Sequence, residues 1–343
     1  MVTIPVATDV FALQGISIIQ QTLNNLAAPY GGAYTVQQSG SGALPLANTG
    51  VLNIGVVNIG VGNIGIEGSP GYGAVFLNSG GTVTLTDDGV TGSGGILLAA
   101  GSGDQQLADN SPAGNDTVVA GNGNDTLYGG TGPNAELVGG SGSDVLVADT
   151  QGAGGALMLG GPGNTTFYDG PGASTIITGD GDNTVYASSG SDQITTGAGA
   201  NYVALGVGND LVLSQGNSDT IVGGSGSATI FALGPNLTYG GNGPMFFING
   251  SQSSTVIGGT GTGNDVINTG AGGGLYAGGT GANNIIFAGS GAATMFGGSG
   301  SDALFASGAA SDVLIAGSGN ETLSGLGGSG DNTFYAGSGS DLL

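Results

Sequence analysis

The nine residues from Gly139 to Val147, "GGSGSDVLV", decide how this chain is read. Close copies stand at 205–213 ("LGVGNDLVL"), 297–305 ("GGSGSDALF") and 336–343 ("AGSGSDLL"). Glycine at the first, second and fourth positions suits a tight turn, an acid at the sixth closes it, and the eighth is apolar. Eighth-position residues include Leu127, Leu146, Phe167, Ile176, Val185, Ile194, Val212, Ile230, Leu304, Phe334 and Leu342. Each unit therefore reads as a turn followed by a short strand with one inward side chain, and two units make a coil of about 18 residues. No unit buries that side chain alone, so stacked coils must form the core.

The register extends over residues 111–343 in about 25 units, with degenerate copies reaching back to Thr91. Upstream, "VLNIGVVNIGVGNIGIEG" repeats Asn-Ile-Gly at Asn53, Asn58 and Asn63. That period fits either a strand-and-turn solenoid or a pair of ordinary strands. Between Asp9 and Ala28, Val10, Leu13, Ile16 and Leu23 recur near helical spacing behind Asp9 as a cap, so one short helix is expected. The expected fold class is all-β, a parallel β-roll or β-solenoid of nonapeptide repeats with a short N-terminal helix-containing segment. Its expected divisions are a helix and connector at 1–50, which makes a subunit contact, degenerate strand-turn repeats at 51–110, and the roll at 111–343.

The composition agrees with a repeat. Seventy-nine glycines in 343 residues would starve a conventional core of side chains. Lysine, arginine and histidine are absent, so the net charge is -23 and any balancing cation comes from solution. Such a surface repels nucleic acid and anionic lipid, whose recognition depends on basic side chains. Cysteine is absent too, which fits the cytosol or an extracellular protein without disulfides. The N-terminal residues lack a basic signal region, and "ILLAA" at 96–100 is far too short to span a bilayer, so membrane insertion is not expected.

The recurring glycine, aspartate and apolar positions resemble the RTX nonapeptide, the hemolysin-type calcium-binding repeat. The resemblance covers roughly two-thirds of the chain. It implies a β-roll loaded with several Ca2+ ions, secreted by a type I system and folding outside the cell. The terminal "SDLL" resembles the acidic-then-apolar ending of many type I substrates. Calcium takes six to eight oxygens, and in this family an ion lies between stacked turns, drawing carboxylates from units two apart. The pairs Asp125 with Asp144 and Asp192 with Asp210, and the series Asp302, Glu321, Asp341, have that spacing. Asp116, Asp219, Asp265 and Asp312 also hold the sixth position, without an acidic neighbour on their own edge. Elsewhere Thr165, Ser174, Asn183, Asn201, Ala228, Met245, Ser254 and Ala293 stand there, so a metal-poor middle is expected, closed by Asn, Ser and backbone hydrogen bonds.

Function classes narrow accordingly. Without histidine there is no zinc-protease helix or Ser-His-Asp triad, and without lysine no P-loop. A glycosidase needs two converging acids, yet Asp9, Glu67, Asp87 and Asp88 are the only ones before residue 100, so no enzymatic activity is expected. An adhesin would carry a globular insertion, which the composition does not show. The favoured expectation is an extracellular structural protein that joins copies of itself head to tail, Met1–Ala28 of one meeting Asp341–Leu343 of the next, as filaments, a surface layer or a matrix. Its last coil would otherwise expose strand edges. The alternative is a calcium-dependent adhesin, with cell-surface polysaccharide as a further partner. Tyr128, Tyr168, Tyr186, Phe231, Tyr239, Phe287, Phe296, Phe305 and Tyr335 fall at or near the outward ninth position, either as stacking ladders or as a lateral contact surface.

Overall fold

The turn-and-strand units fold into short parallel strands of three to six residues in a computed structural model. It describes residues 1–5, 13–40, 44–45, 47–58, 62–66, 72–78, 83–87, 95–110, 115–148, 154–281 and 283–343. The fold is a parallel β-solenoid with one short N-terminal helix. Its contacts divide it into two units, Met1–Thr184 and Val185–Leu343. In each unit successive strands alternate between two sheets, so every strand pairs with the next but one.

The first unit opens with α1 (Leu13–Ala27), followed by a 3-10 turn over Ala28–Tyr30. Pro29 lacks the N–H a further helical turn would need, and Gly31 closes the turn at φ 64°. The proposed cap Asp9, with Val10, lies outside the described residues. Strands β1 (Tyr34–Ser39) and β2 (Leu52–Val57) then pair in parallel. The apolar stripe of α1, Ile19, Leu23 and Ala27, is buried in one cluster with Leu97, Ala99, Val119, Val138 and Leu159. Gln20 Nε2 donates to the Val2 carbonyl at 2.6 Å, and Asn24 Oδ1 accepts from the Val2 N–H at 3.1 Å, which ties the N-terminal residues to the helix. The helix thus uses its apolar face within its own unit.

The first and third Asn-Ile-Gly units fall in consecutive strands, Asn53 in β2 and Asn63 in Gly62–Ile66, and these belong to different sheets; Ile59 and Gly60 of the second lie outside the described residues. The coil step there is set by Ile54 pairing with Ala74, not by the pentad. Asn53 instead closes a loop, exchanging hydrogen bonds with the Asn48 backbone at 2.8 and 2.9 Å. Coil length also departs from a constant 18. Ile230 pairs with Phe247, a step of 17 residues, and Leu146 with Phe167, a step of 21. Turns absorb the difference, because strand register must keep inward side chains inward.

Eighth-position residues line the space between the sheets as two facing rows, one from each sheet. Leu127, Leu146, Phe167, Ile194, Val212, Ile230, Phe247 and Leu304 are all essentially inaccessible to solvent. Thr238 and Tyr276 fill two places in these rows. The row loosens at the last coil, where Phe334 is half-buried; Leu342, expected at an eighth position, pairs with Thr322 and takes the seventh, which leaves the 64% exposed Leu343 at the eighth. Glycine is required where turns stack. A Cβ on Gly140 would lie 1.8 Å from the Gly121 carbonyl oxygen, so any side chain there pushes the coils apart.

Candidate metal ladder

Each sixth-position residue ends a turn and enters a strand, and its side chain points into the corner of the roll. Asp144 shows the pattern: Oδ1 accepts the backbone N–H of Asp125 in the neighbouring coil at 2.9 Å, and Oδ2 accepts that of Gly140 in its own turn at 2.6 Å. Asp125 repeats it with Gln105 and Gly121, at 2.8 and 3.0 Å. In the second unit, Asp210 accepts from Asp192 N–H at 3.1 Å and Asp341 from Glu321 N–H at 3.2 Å. Asp302 accepts from Asn284 N–H at 2.7 Å and from Gly298. The Thr322 N–H bonds to the Asp302 carbonyl at 2.8 Å, which stacks Glu321 on Asp302. The sequence-derived pairs Asp125 with Asp144 and Asp192 with Asp210, and the series Asp302, Glu321, Asp341, are therefore neighbours on one edge.

The isolated acids keep the ladder without an acidic neighbour. Asp116 accepts from Ile96 N–H, Asp265 from Met245 and Gly259 N–H, and Asp312 from Ala293 N–H, all at 2.8 or 2.9 Å. At four positions where the acid is replaced Asn or Ser takes its place, while Ala228, Met245 and Ala293 bring no side-chain acceptor. Asn183 accepts from Thr165 N–H at 2.8 Å, Asn284 from Asp265 N–H at 2.9 Å, Ser174 from Ala156 N–H at 3.0 Å and Ser254 from Asn236 N–H at 3.2 Å. The sixth position is first a cap on the neighbouring coil and only secondarily an acid.

Burial makes these carboxylates poor places for unbalanced charge. Asp125 is pushed up to about 7, first by burial and then by the charge of Asp144. Asp144, Asp210, Asp265 and Asp312 are raised, with burial the leading cause in each. Glu321 is raised by burial and by its hydrogen bond to Asp341, and the same bond holds Asp341 down.

The donor set fits calcium. An ionised carboxylate offers about four acceptor directions, so the two N–H bonds on Asp144 or Asp125 leave about two open on each. Every donor is oxygen, as a hard cation requires, and the chain holds no basic side chain to compete. Among the described residues no three acidic side chains converge, so turn carbonyls must complete any site. Bound Ca2+ supplies the positive charge that the chain lacks; the residues supply spacing, rigidity and an oxygen-lined corner.

Asp219 differs. Its Oδ1 accepts from the backbone and side-chain nitrogens of Asn201, at 3.0 and 2.8 Å. Its Oδ2 accepts from Thr196 Oγ1 at 2.7 Å, from the Ser214 hydroxyl and from Gly216 N–H at 3.2 Å. Four or five donors thus crowd this carboxylate, since the single Ser214 hydrogen is shared with Asn236 Oδ1 at 2.8 Å, against two on Asp144 or Asp125. Sequence reading missed Thr196 and Ser214 because both lie outside the sixth position. It also missed Tyr276, whose buried hydroxyl donates to the Gly273 carbonyl at 2.6 Å and meets Asn249 Nδ2 at 2.9 Å. The visible signals were a hydroxyl at the first, glycine position for Thr196 and Ser214, and a phenol at the apolar eighth position for Tyr276.

The family model for the RTX calcium-binding nonapeptide repeat matches residues 113–135, 159–194, 177–212, 195–230, 278–310 and 305–328. Neither the curated proteins nor the solved structures yield a match. Residues 231–277, which no matched window covers, are those where Asn236, Met245 and Ser254 stand at the sixth position. The repeats bind calcium, and the fold they build is a structural and binding one. RTX repeat proteins are generally secreted, and no helix among the described residues is long and apolar enough to cross a membrane.

Proposed function

From the RTX calcium-binding nonapeptide repeats that this chain carries in both units, we propose that it is an extracellular structural protein. Calcium folds it, and copies of it then join end to end as filaments or a surface layer. One observation carries the reading: in the second unit the acids sit in turns or at strand entries, and no outward strand position among the described residues bears a charge. A chain at -23 can approach its own kind only through such neutral surfaces. The exposed Leu343, at the eighth position of the last coil, offers the apolar row to a neighbouring coil. Restored strand hydrogen bonds at that edge contribute about 1 kcal/mol each.

A second reading has its own support. Tyr168, Tyr186, Tyr202, Tyr239 and Tyr335 are exposed on strands of one sheet series, each more than a third accessible, and rings with hydroxyls suit polysaccharide.

Electron microscopy and light scattering in millimolar calcium and in chelator test the first reading. Filaments or sheets with calcium and none without are expected, and Leu343→Asp should shorten or abolish them. Protein that stays monomeric in calcium well above micromolar concentration overturns assembly and leaves the polysaccharide reading first.

A further inference from the structure

One corner of the second unit is closed mainly by neutral side chains. It lies between the ends of strands such as Asp210–Ser214 and Met245–Asn249 and the starts of Asp219–Val222, Asn236–Tyr239 and Ser254–Ile257. The Ser214 hydroxyl stands between Asp219 Oδ2 and Asn236 Oδ1, 2.8 Å from the latter. Asn236 N–H donates to Ser254 Oγ at 3.2 Å, and that hydroxyl donates to Asn249 Oδ1 at 2.9 Å. Asn249 Nδ2 donates to the Tyr276 hydroxyl at 2.9 Å, which donates in turn to the Gly273 carbonyl at 2.6 Å. With Thr196 and Asn201 bonded to Asp219, these bonds run without a break from Thr196 to Tyr276, and every side chain in the run is buried. A buried network whose members bond to one another strengthens and rigidifies the coils it crosses.

Three further observations fall on the same stretch. First, acids are scarce: from Leu211 to Ser301 they are Asp219 and Asp265, whereas Asp302–Leu343 holds Asp302, Asp312, Glu321, Asp331 and Asp341. These coils therefore carry little of the repulsion that a cation must relieve. Second, at the opposite corner the buried Ala228 and Met245 put carbon where a calcium ligand would stand. Third, the strands are longer. Asp210–Ser214, Ala228–Ala232 and Met245–Asn249 have five residues each and pair along their whole length. Ala303–Phe305, Val313–Ile315, Thr322–Ser324 and Thr333–Tyr335 have three each, so each of those coils gains fewer backbone hydrogen bonds from its neighbour.

We infer that the coils from Asp210 to Ala277 stay folded without calcium and act as the template on which calcium builds the acid-rich coils of Asp302–Leu343. The stability of a solenoid is close to a sum over coils and the interfaces between neighbours, so one stretch can stand while the next is open. A coil that forms against an ordered neighbour finds its strand partners already in place, and calcium has only the repulsion among its acids left to offset. The inference narrows the part of the chain that calcium folds. It rests on the calcium reading above for Asp302–Leu343 alone, and not on self-association.

Amide hydrogen exchange of the full-length protein, read by mass spectrometry in chelator and in millimolar calcium, tests it. In chelator, peptides from Asp210–Ala277 should exchange at least about tenfold more slowly than those from Asp302–Leu343. Calcium should protect the latter and change the former little. Ser214→Ala with Asn249→Ala should remove the protection of the middle coils in chelator, whereas Asp302→Asn with Asp341→Asn should leave it unchanged. If the alanine pair fails to fold even in calcium, Tyr276→Phe decides instead, with exchange of the middle coils in chelator at least about fivefold faster than in the parent. Fast exchange of both stretches in chelator overturns the inference and leaves calcium as the folding agent of every coil. Equal protection of both stretches with and without calcium overturns it together with the calcium reading. Protection of the middle coils that survives these network variants overturns the network as its cause.

Discussion

Asp144 lies one coil beyond Asp125 and accepts its backbone N–H at 2.9 Å, so two buried carboxylates are held in register by the bond that also joins their coils. The hydrogen bond favours stacking and the like charges oppose it. Calcium and protons both relieve that opposition.

The first prediction concerns pH. Asp125 is raised from 3.8 to about 7 in the folded state, so folding favours its protonated form. Its contribution is complete below the ordinary carboxylate range and is lost as pH rises from about 4 through 7. A shift of that size corresponds to about 4 kcal/mol at neutral pH. In chelator, acidification should therefore increase β structure by circular dichroism, and calcium should flatten the pH dependence. Identical pH profiles with and without calcium would show that these carboxylates do not carry the ion.

Asp219 should behave unlike its ladder neighbours. Asp219→Asn replaces an acceptor of at least four hydrogen bonds and should cost about 2–3 kcal/mol in chelator, with calcium stoichiometry unchanged. Asp302→Asn with Asp341→Asn should instead lower calcium affinity and calcium-dependent folding of the last coils. Calorimetric titration of both variants checks this; equal losses of bound calcium would mean that Asp219 is a ligand after all.

Ser254→Ala removes an acceptor for Asn236 N–H and a donor to Asn249 Oδ1 at 2.9 Å. A loss of about 1–3 kcal/mol in denaturant midpoint stability is expected, with no change in calcium affinity. A change in affinity instead would place a metal site in these coils.

Tyr276 offers a spectroscopic check. Burial pushes its phenol up to about 12, so among the ten tyrosines it should ionise late in an alkaline absorbance titration. Tyr276→Phe should remove that late phase and cost about 1–3 kcal/mol through the unpaired Asn249 and Gly273 partners.

Gly140→Ala places a methyl group against the Gly121 carbonyl and should cost about 1–3 kcal/mol or more by forcing the coils apart. Thermal unfolding in saturating calcium measures it. A change below about 0.5 kcal/mol would mean that the turns have room to spare.

Much of this protein follows from local sequence, because a nonapeptide repeat constrains neighbours nine and eighteen residues away as strongly as adjacent ones. Glycine at turn positions, an acid at the sixth and an apolar eighth residue are enough to dictate the parallel roll, the inward row and the edge on which each acid lies. The acid pairs Asp125 with Asp144 and Asp192 with Asp210 were legible for that reason alone. Tertiary structure decided whatever depends on space between coils. Insertions in turns let coil steps range from 17 to 23 residues, with a single register shift in Leu52–Val57. The apolar stripe of α1 settled on its own unit because Val119, Val138 and Leu159 present a flat face beside it. Asp219 met Thr196 and Ser214, 23 and 5 residues away, only once the corner had closed, and hydrogen bonds of that kind depend on distances that no spacing rule encodes.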